Sequence, residues 1–584
     1  MIWVSNCKAR TSQIAVDTET TGIKGIRNGT DHATGLSVAY SSGVHSSGMY
    51  FPLRHLGEGN YSGLVLDALR DLIQNASRIV FHNAKFDLVS LKSLGINYTG
   101  EFFCTLIIAN LVNENYPFSK DLSSLTKRYV GTDIEKDKPA WFAEFIKRFG
   151  WEYVTPQMMY AYAKQDAVIT LMLIKELWPL FLKEATEEIW QHKQKLIRTI
   201  IKMEQAGVGV DEKRVQKLID MGEEIMAQMT TELNFNAASS KQKEQFFIHD
   251  LGLPVLKRSP KTGRPSFDKS VMPQYQELLE TQFPGNKAVE QVLTFNGWQH
   301  ALGLFYRPWL ETRWDDGRIH TNYILHKDEN DGGTVTGRLS SREPNLQQIP
   351  RIGTKPWNIE TKLCFQAKPG FVLVEADYSQ LELRLATAYA KEYGLMQVFN
   401  EDRDIFTEMS YQLNMSRDDT KTFVYSTQYG AGLDRISTVF KISRNEANRI
   451  RQNYFATYPG FAAFSFRAQQ TAMSKGKIKI WSGRYRHFKD RENEAHKAMN
   501  ACIQGGAADV VERMMVKCDE EVTDENCVML LQIHDAMIFE VRKDMLEEYA
   551  WKIKKTMEDV NSIINFGVKF NVDAHILGSK EKIV

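Results

Sequence analysis

Two apolar runs in this chain end on an aspartate. In FVLVEADYS the run that starts at Phe371 closes at Asp377. In VMLLQIHDAMIFE the run from Val528 stops at His534 and Asp535, and a second run leads away from Ala536. Short apolar runs of this length read as buried strands, so both acids stand at the ends of core strands. A buried carboxylate is costly unless a cation or a donor compensates it. A strand ending at Asp377 beside a hairpin turning at His534 and Asp535 would let two such acids share one cation. The plainer alternative, that each aspartate merely ends a strand at a polar turn, stays open on these residues alone.

SRDDTKTFVYSTQYGAG adds cations and rings. Arg417, Lys421, Tyr425 and Tyr429 follow at four-residue steps, one stripe of a helix that should stop at Gly430 and Gly432. Ser416 is the expected N-cap with Asp419 three residues on, which puts Arg417 in a first turn that already favours anions. A core stripe would not begin with Arg and Lys. Two cations there suit a triphosphate, and two tyrosines farther along offer a floor for a base and sugar. An amphipathic surface helix is the bland reading of the same stripe.

A second set of acids lies near the amino terminus. AVDTETTG puts Asp17 and Glu19 two apart on a strand, so both leave one face. VFHNAKFDLVSL ends a strand at Phe81 and starts a helix carrying Asp87; YAYAKQDAVITL sets Tyr162 and Asp166 at i,i+4. Two hard divalent ions held by such oxygens can generate a hydroxide and stabilise a leaving oxygen in phosphodiester cleavage, with a tyrosine hydroxyl orienting the attacking water.

With 584 residues, the chain is long enough for roughly four domains or subdomains. A hydrophobic share of 43% with 25% charged residues is that of a soluble globular protein, and no stretch nears the length of a membrane span. The opening residues have no signal-like apolar core. The scattered cysteines show no metal-finger spacing and suggest reduced thiols in a cytosol-like compartment. A net charge of +1 does not advertise nucleic-acid binding, but charge is read locally. KGKIKIWSGRYRHFK (475–489) carries six Lys/Arg and LKRSPKTGRP (256–265) four, with no acid in either. Up to about residue 180 the pattern alternates strands and helices; it is helical from about 181 to 330 and mixed beyond.

DxE, NxxxD (Asn83, Asp87) and YxxxD together resemble the DEDDy 3′→5′ exonucleases, which implies an RNase H-like domain with Asp17, Glu19, Asp87 and Asp166 on metal. DYSQLELR, RDDTKTFVYSTQYG, HDA, TGRLSSREPNLQQIP, YFATYPG and NACIQGGAADVV resemble the motifs of family A DNA polymerases, the bacterial DNA polymerase I type. The resemblance implies a multidomain α/β chain: exonuclease 1–185, then a right-hand polymerase 186–584 with thumb about 200–330, palm about 331–403 and 490–584, and fingers about 404–489.

It further implies two Mg²⁺ per centre, with Mn²⁺ a substitute, held in the polymerase by Asp377 and Asp535. Arg417 and Lys421 would bind phosphates, Lys421 also serving as an acid. Tyr425, Tyr429, Gln380 and His534 would line the nucleotide site, and Glu382, packed on Tyr425, would exclude a ribose 2′-hydroxyl. Arg338, Asn345, Gln347, Asn500 and Gln504 would contact primer or template. Lys475, Lys477 and Lys479, alternating along a strand, would track phosphates, and Lys257 and Arg258 would sit on a thumb-tip loop. Primer-template DNA and dNTPs are the implied partners of a replicative monomer in the cytoplasm.

Ala536 departs from the family's usual Glu, which implies weaker metal support. Tyr425 is Phe in many relatives, and the Tyr form implies easy dideoxynucleotide incorporation. The chain opens directly on the exonuclease, without a 5′-nuclease domain, a plan expected of a phage enzyme in its host's cytoplasm. A nuclease whose second half only binds DNA, an RNA polymerase and a non-catalytic DNA-binding protein are the competing readings.

Overall fold

The computed structural model describes every residue except 1–2, 5–6, 8–12, 23–25, 27–28, 43–44, 132–139, 331, 351–352, 354 and 580. The first sheet is built around Gln13–Thr20, whose Ile14, Ala15 and Val16 are buried on both faces. Ala33–Ser42 and His45–Pro52 extend it antiparallel on one side; Arg78–Phe81 and Glu101–Cys104 extend it parallel on the other. The 29-residue helix Pro156–Glu184 packs across four of these strands and carries Tyr162 and Asp166 to the sheet. Asp87 rides in the first turn of Ala84–Ser93, which also packs on the central strand.

Beyond this unit, Glu187–Ala206, Glu212–Leu233, Met272–Gln282 and Ala288–Ala301 form the expected helical stretch. Its distal end closes on a small core of Phe247, Phe267, Tyr275 and Leu279. The basic stretch near residue 260 is a short hairpin there, with Arg258 bridged to Pro265.

The second sheet is antiparallel throughout, in the order Cys527–Ile533, Ala536–Arg542, Phe371–Tyr378, Val572–Ile576. Helices Ala498–Glu521 and Leu546–Glu558 pack behind it, and Val374, Ala376, Met514, Met537, Phe539 and Ile553 share one core. Ile405–Leu413, Arg417–Gln428, Arg444–Thr457 and Pro459–Lys475 form a separate helical lobe around Phe406, Phe423, Tyr454 and Phe461.

Lys475 ends a helix, and the strand after it is only Lys477–Lys479, so the expected alternating row of three lysines is not formed. Lys477 is drawn inward. It pairs with Glu184 at 2.5 Å and lies over the Tyr485 ring, so it is not an open phosphate contact. Nearby, buried Glu114 accepts from Arg486 Nη1 and His487 Nδ1 at 2.7 and 2.8 Å. These contacts, with Lys85 Nζ bonded to Glu204 at 2.5 Å, tie the first sheet's unit to the rest of the chain. No helix among the described residues is long and apolar enough to cross a membrane.

Candidate active sites

The amino-terminal acids converge as their spacing requires. Asp17 and Glu19 leave one face of the central strand, and between them Thr18 donates from N and Oγ1 to Asp87 Oδ1 at 3.1 and 2.8 Å. Glu19, Asp87 and Asp166 are 9%, 2% and 5% exposed and Asp17 is half-buried, so most of this centre is enclosed. Burial drives the Asp87 carboxyl well above the usual range, against the two Thr18 hydrogen bonds. Tyr162 donates to Asp166, and burial followed by the charges of Glu19, Asp166 and Asp17 raises its hydroxyl pKa. The buried ring of Phe142, 6.3 Å away, fixes the tyrosine's other side.

The second centre is a cavity of about 630 Å³. Asp377 pairs in register with Ala536, and Tyr378 N donates to Asp535 O at 3.4 Å, so the two strand-end aspartates are cross-strand neighbours. Both line the cavity with Lys421, Tyr425, Tyr429 and Glu382; Arg338, Gln380 and His534 also border it. Ser416 caps the helix as its spacing predicts: Asp419 N donates to Ser416 Oγ at 3.1 Å. The helix ends where Gly430 adopts φ +76°, a left-handed conformation that disfavours a side chain.

Several expected contacts are redirected. Glu382 accepts from the Tyr429 hydroxyl at 2.6 Å and from Arg338, and Tyr425, one helical turn from Tyr429, lines the same cavity. Burial raises the Glu382 carboxyl, against the Arg338 charge and the Tyr429 bond. Arg417 lies outside the cavity lining and pairs with Asp404 at 2.7 Å. Gln347 holds a turn: it donates to Gln532 O at 2.8 Å and accepts from His534 N at 3.1 Å. That bracing holds His534 at φ +56° between the two strands. Asn345 Oδ1 accepts from Gln347 N at 3.0 Å. Asn500 and Gln504 lie half-buried one turn apart on Ala498–Glu521. Lys257 pairs with Asp268 at 2.7 Å and Arg258 donates to Gly263 O; Lys475 and Lys479 are exposed.

Sequence reading overlooked three residues that line the cavity, Lys362, Glu375 and Asp573. Glu375 accepts from Lys362 and faces His575 at 3.3 Å, and Asp573 stands opposite Asp377 on the edge strand. The signal for Asp573 was there: FNVDAHI is again an acid within an apolar run.

Both centres offer carboxylate oxygens, with no thiolate among the candidate ligands, a donor set suited to hard divalent ions of the magnesium, calcium or manganese class. Among the described residues, no three His, Cys, Asp or Glu side chains already close on one point. The side chains of the polymerase-like centre are instead engaged by cations: Arg338 Nη2 lies 3.6 Å from Asp535 and Lys582 Nζ 2.5 Å from Asp573.

A family model described as DNA polymerase family A matches residues 209–580, and one described as 3′-5′ exonuclease matches residues 3–181. DNA polymerase I of Pseudomonas aeruginosa is 28% identical over 96% of this chain and 63% of its own length. The thermostable DNA polymerase I of Thermus aquaticus is 29% identical over 74% of the chain and 53% of its own length. For DNA polymerase I of Bacillus caldotenax the figures are 31%, 66% and 45%. The chain thus covers about half to just under two thirds of these relatives. A solved structure described as the POL domain of Pol1 from M. smegmatis in complex with DNA primer-template and dNTP shares the fold, with a TM-score of 0.81 at 22% identity over 99% of this chain and 97% of that one. These relatives are bacterial, and the expected phage origin is not borne out.

Proposed function

The chain belongs to the family A DNA polymerases, and on that premise we propose that it extends a primer 3′-hydroxyl along a DNA template with dNTPs, in DNA replication, and trims 3′ ends at a separate centre. The observation that carries the reading is the meeting of Asp377 and Asp535 with Lys421, Tyr425 and Tyr429 in one cavity. Mg²⁺, two per centre and replaceable by Mn²⁺, would be held by Asp377 and Asp535 in one site and by Asp17, Glu19, Asp87 and Asp166 in the other. When bound it supplies a polarised attacking oxygen and charge neutralisation at the leaving one.

The residues around these acids have separable tasks. Lys421 lies one helical turn from Arg417, so both can meet a triphosphate once Arg417 exchanges Asp404 for phosphate, and Lys421 can deliver a proton to the departing pyrophosphate. Tyr425 and Tyr429, stacked with ring centres 6.2 Å apart, offer a face to the base and sugar. Glu382, fixed by Arg338 and Tyr429, forms a rigid wall where a ribose 2′-hydroxyl would fall. In the first centre Tyr162 would orient water for attack on a terminal phosphodiester. His534, Asn345, Asn500, Gln504, Lys257, Arg258, Lys475 and Lys479 are proposed DNA-side contacts, and Gln347 acts through the His534 turn. We assign the exonuclease to residues 1–185, and the thumb, palm and fingers to the ranges expected from sequence.

Primer extension with Mg²⁺ tests the reading. The wild type should extend a primer and degrade single strands, and Asp377→Ala should only degrade. A wild type that degrades without extending would favour a nuclease whose second half merely binds DNA.

A further inference from the structure

Asp377 has two cross-strand partners: Ala536 on one side and Asp573 on the other. Directly opposed residues of an antiparallel sheet project from the same face. The three therefore form one row, methyl, carboxylate, carboxylate, and all three border the cavity that also holds Asp535. The row is lopsided. On the hairpin side Ala536 brings no oxygen next to Asp377, while on the edge-strand side Asp573 brings two.

Asp573 also has an easily exchanged partner. Its Oδ1 lies 2.5 Å from Lys582 Nζ, and the two side chains are 40% and 61% exposed. An exposed lysine–aspartate pair contributes little to stability, so a divalent ion arriving with a triphosphate would compete readily for that carboxylate. Lys582 comes from the short segment that returns along the edge strand, where Ile583 N donates to Ala574 O at 2.9 Å. Its ammonium is therefore tethered beside the site rather than passing through it.

We propose that Asp573 is the third carboxylate of the polymerase centre, turning from Lys582 to the divalent ions beside Asp377 and Asp535 when nucleotide binds. Lys582 then acts as a keeper that holds the carboxylate while the site is open. This deepens the polymerase reading and rests on it.

The test measures ion binding without turnover. Wild type, Asp573→Asn, Asp573→Ala and Lys582→Met are each assembled with a dideoxy-terminated primer, template and the next dNTP. Free Mn²⁺ is then followed by electron paramagnetic resonance. Asp573→Asn and Asp573→Ala should bind the polymerase-site ions roughly 10-fold more weakly. Lys582→Met, which frees the carboxylate, should bind them as tightly as wild type or more so. Weakening in the Asp573 variants without weakening in Lys582→Met separates a ligand from a structural ion pair, because loss of the pair alone would affect all three alike. Unchanged single-strand degradation checks that each variant is folded. Wild-type affinity in both Asp573 variants, or equal weakening in Lys582→Met, would overturn the assignment. If the wild type itself fails to extend a normal primer, it is the polymerase reading that fails.

Discussion

The two acid centres of this chain are built from the same side chains but at opposite degrees of enclosure. In the first, Asp87 is 2% exposed and Asp166 5%, braced by Thr18 and by a tyrosine that Phe142 holds in place. In the second, the Asp535 side chain is 27% exposed and that of Asp573 40%, and both face cations that a substrate can displace. A closed centre is preorganised for one small piece of chain end. Under the proposed function the open centre would admit a duplex end and a triphosphate, which would complete its geometry. The contrast teaches that the same carboxylate chemistry is set by packing in one half and by substrate in the other.

The largest break between the halves should come from removing one acid proposed to hold metal in each. Asp377→Ala should lower extension by roughly 10³-fold or more while single-strand degradation persists, and Asp166→Ala should do the reverse. Measuring both activities on both variants checks it. If either substitution abolished both, the centres would not be separable.

Next is the tyrosine that only the closed centre uses. Tyr162→Phe keeps the ring against Phe142 but removes the hydroxyl bonded to Asp166. Degradation should fall about 10²-fold with extension unchanged, the scale of losing one preorganised donor. A near-wild-type rate of degradation would mean that Asp166 alone positions the water.

How much of this contrast is legible in the sequence follows from how local each feature is. DxE on a strand and YxxxD on a helix share a face by backbone periodicity alone, so the closed centre could be read residue by residue. Asp377 and Asp535 were readable as charges at the ends of apolar runs, and the Ser416 cap follows from local hydrogen bonding. What failed depended on distant packing. Lys477 looked like a phosphate contact until Glu184, far away in the chain, took its charge. Gln347 looked like a DNA contact but braces the His534 turn. The Tyr429 hydroxyl on Glu382 was likewise illegible, because it depends on how the helix is placed over the sheet. Asp573 stands out as an acid within an apolar run, but its place beside Asp377 needed the strand register, which no local pattern supplies.

A finer test lies on the helix proposed to bind the nucleotide. Tyr425 borders the cavity and stacks on Tyr429, so Tyr425→Phe retains the ring and removes only the hydroxyl. Discrimination against dideoxynucleotides should rise about tenfold, the worth of one hydrogen bond near charge. Competition between dideoxy- and deoxynucleotides on one template measures it, and equal incorporation by both forms would refute it.

The smallest expected effect concerns acids that serve neither centre but join them. His487 has Nδ1 2.8 Å from Glu114 and Nε2 3.2 Å from Glu184, and only an imidazolium can donate from both nitrogens. Burial opposes that charge, but the hydrogen bonds and charges of Glu114 and Glu184 hold His487 above its ordinary 6.5. For Glu114, burial is likewise outweighed, by the bonds and charges of His487 and Arg486, and its carboxyl stays below 4.5. The signs then differ. The histidine's share of junction stability is complete below 6.5 and lost as pH rises through its raised value. The glutamate's share is complete above 4.5 and lost as pH falls through its lowered one. The junction should therefore be firmest between 4.5 and 6.5. His487→Gln should remove the alkaline limb and lower the unfolding midpoint at pH 6 by roughly 2 °C, with little effect at pH 9. Thermal unfolding across that range decides it. An equal loss at both pH values would show that His487 contributes by packing, and that the coupling between the closed and open halves does not depend on its proton.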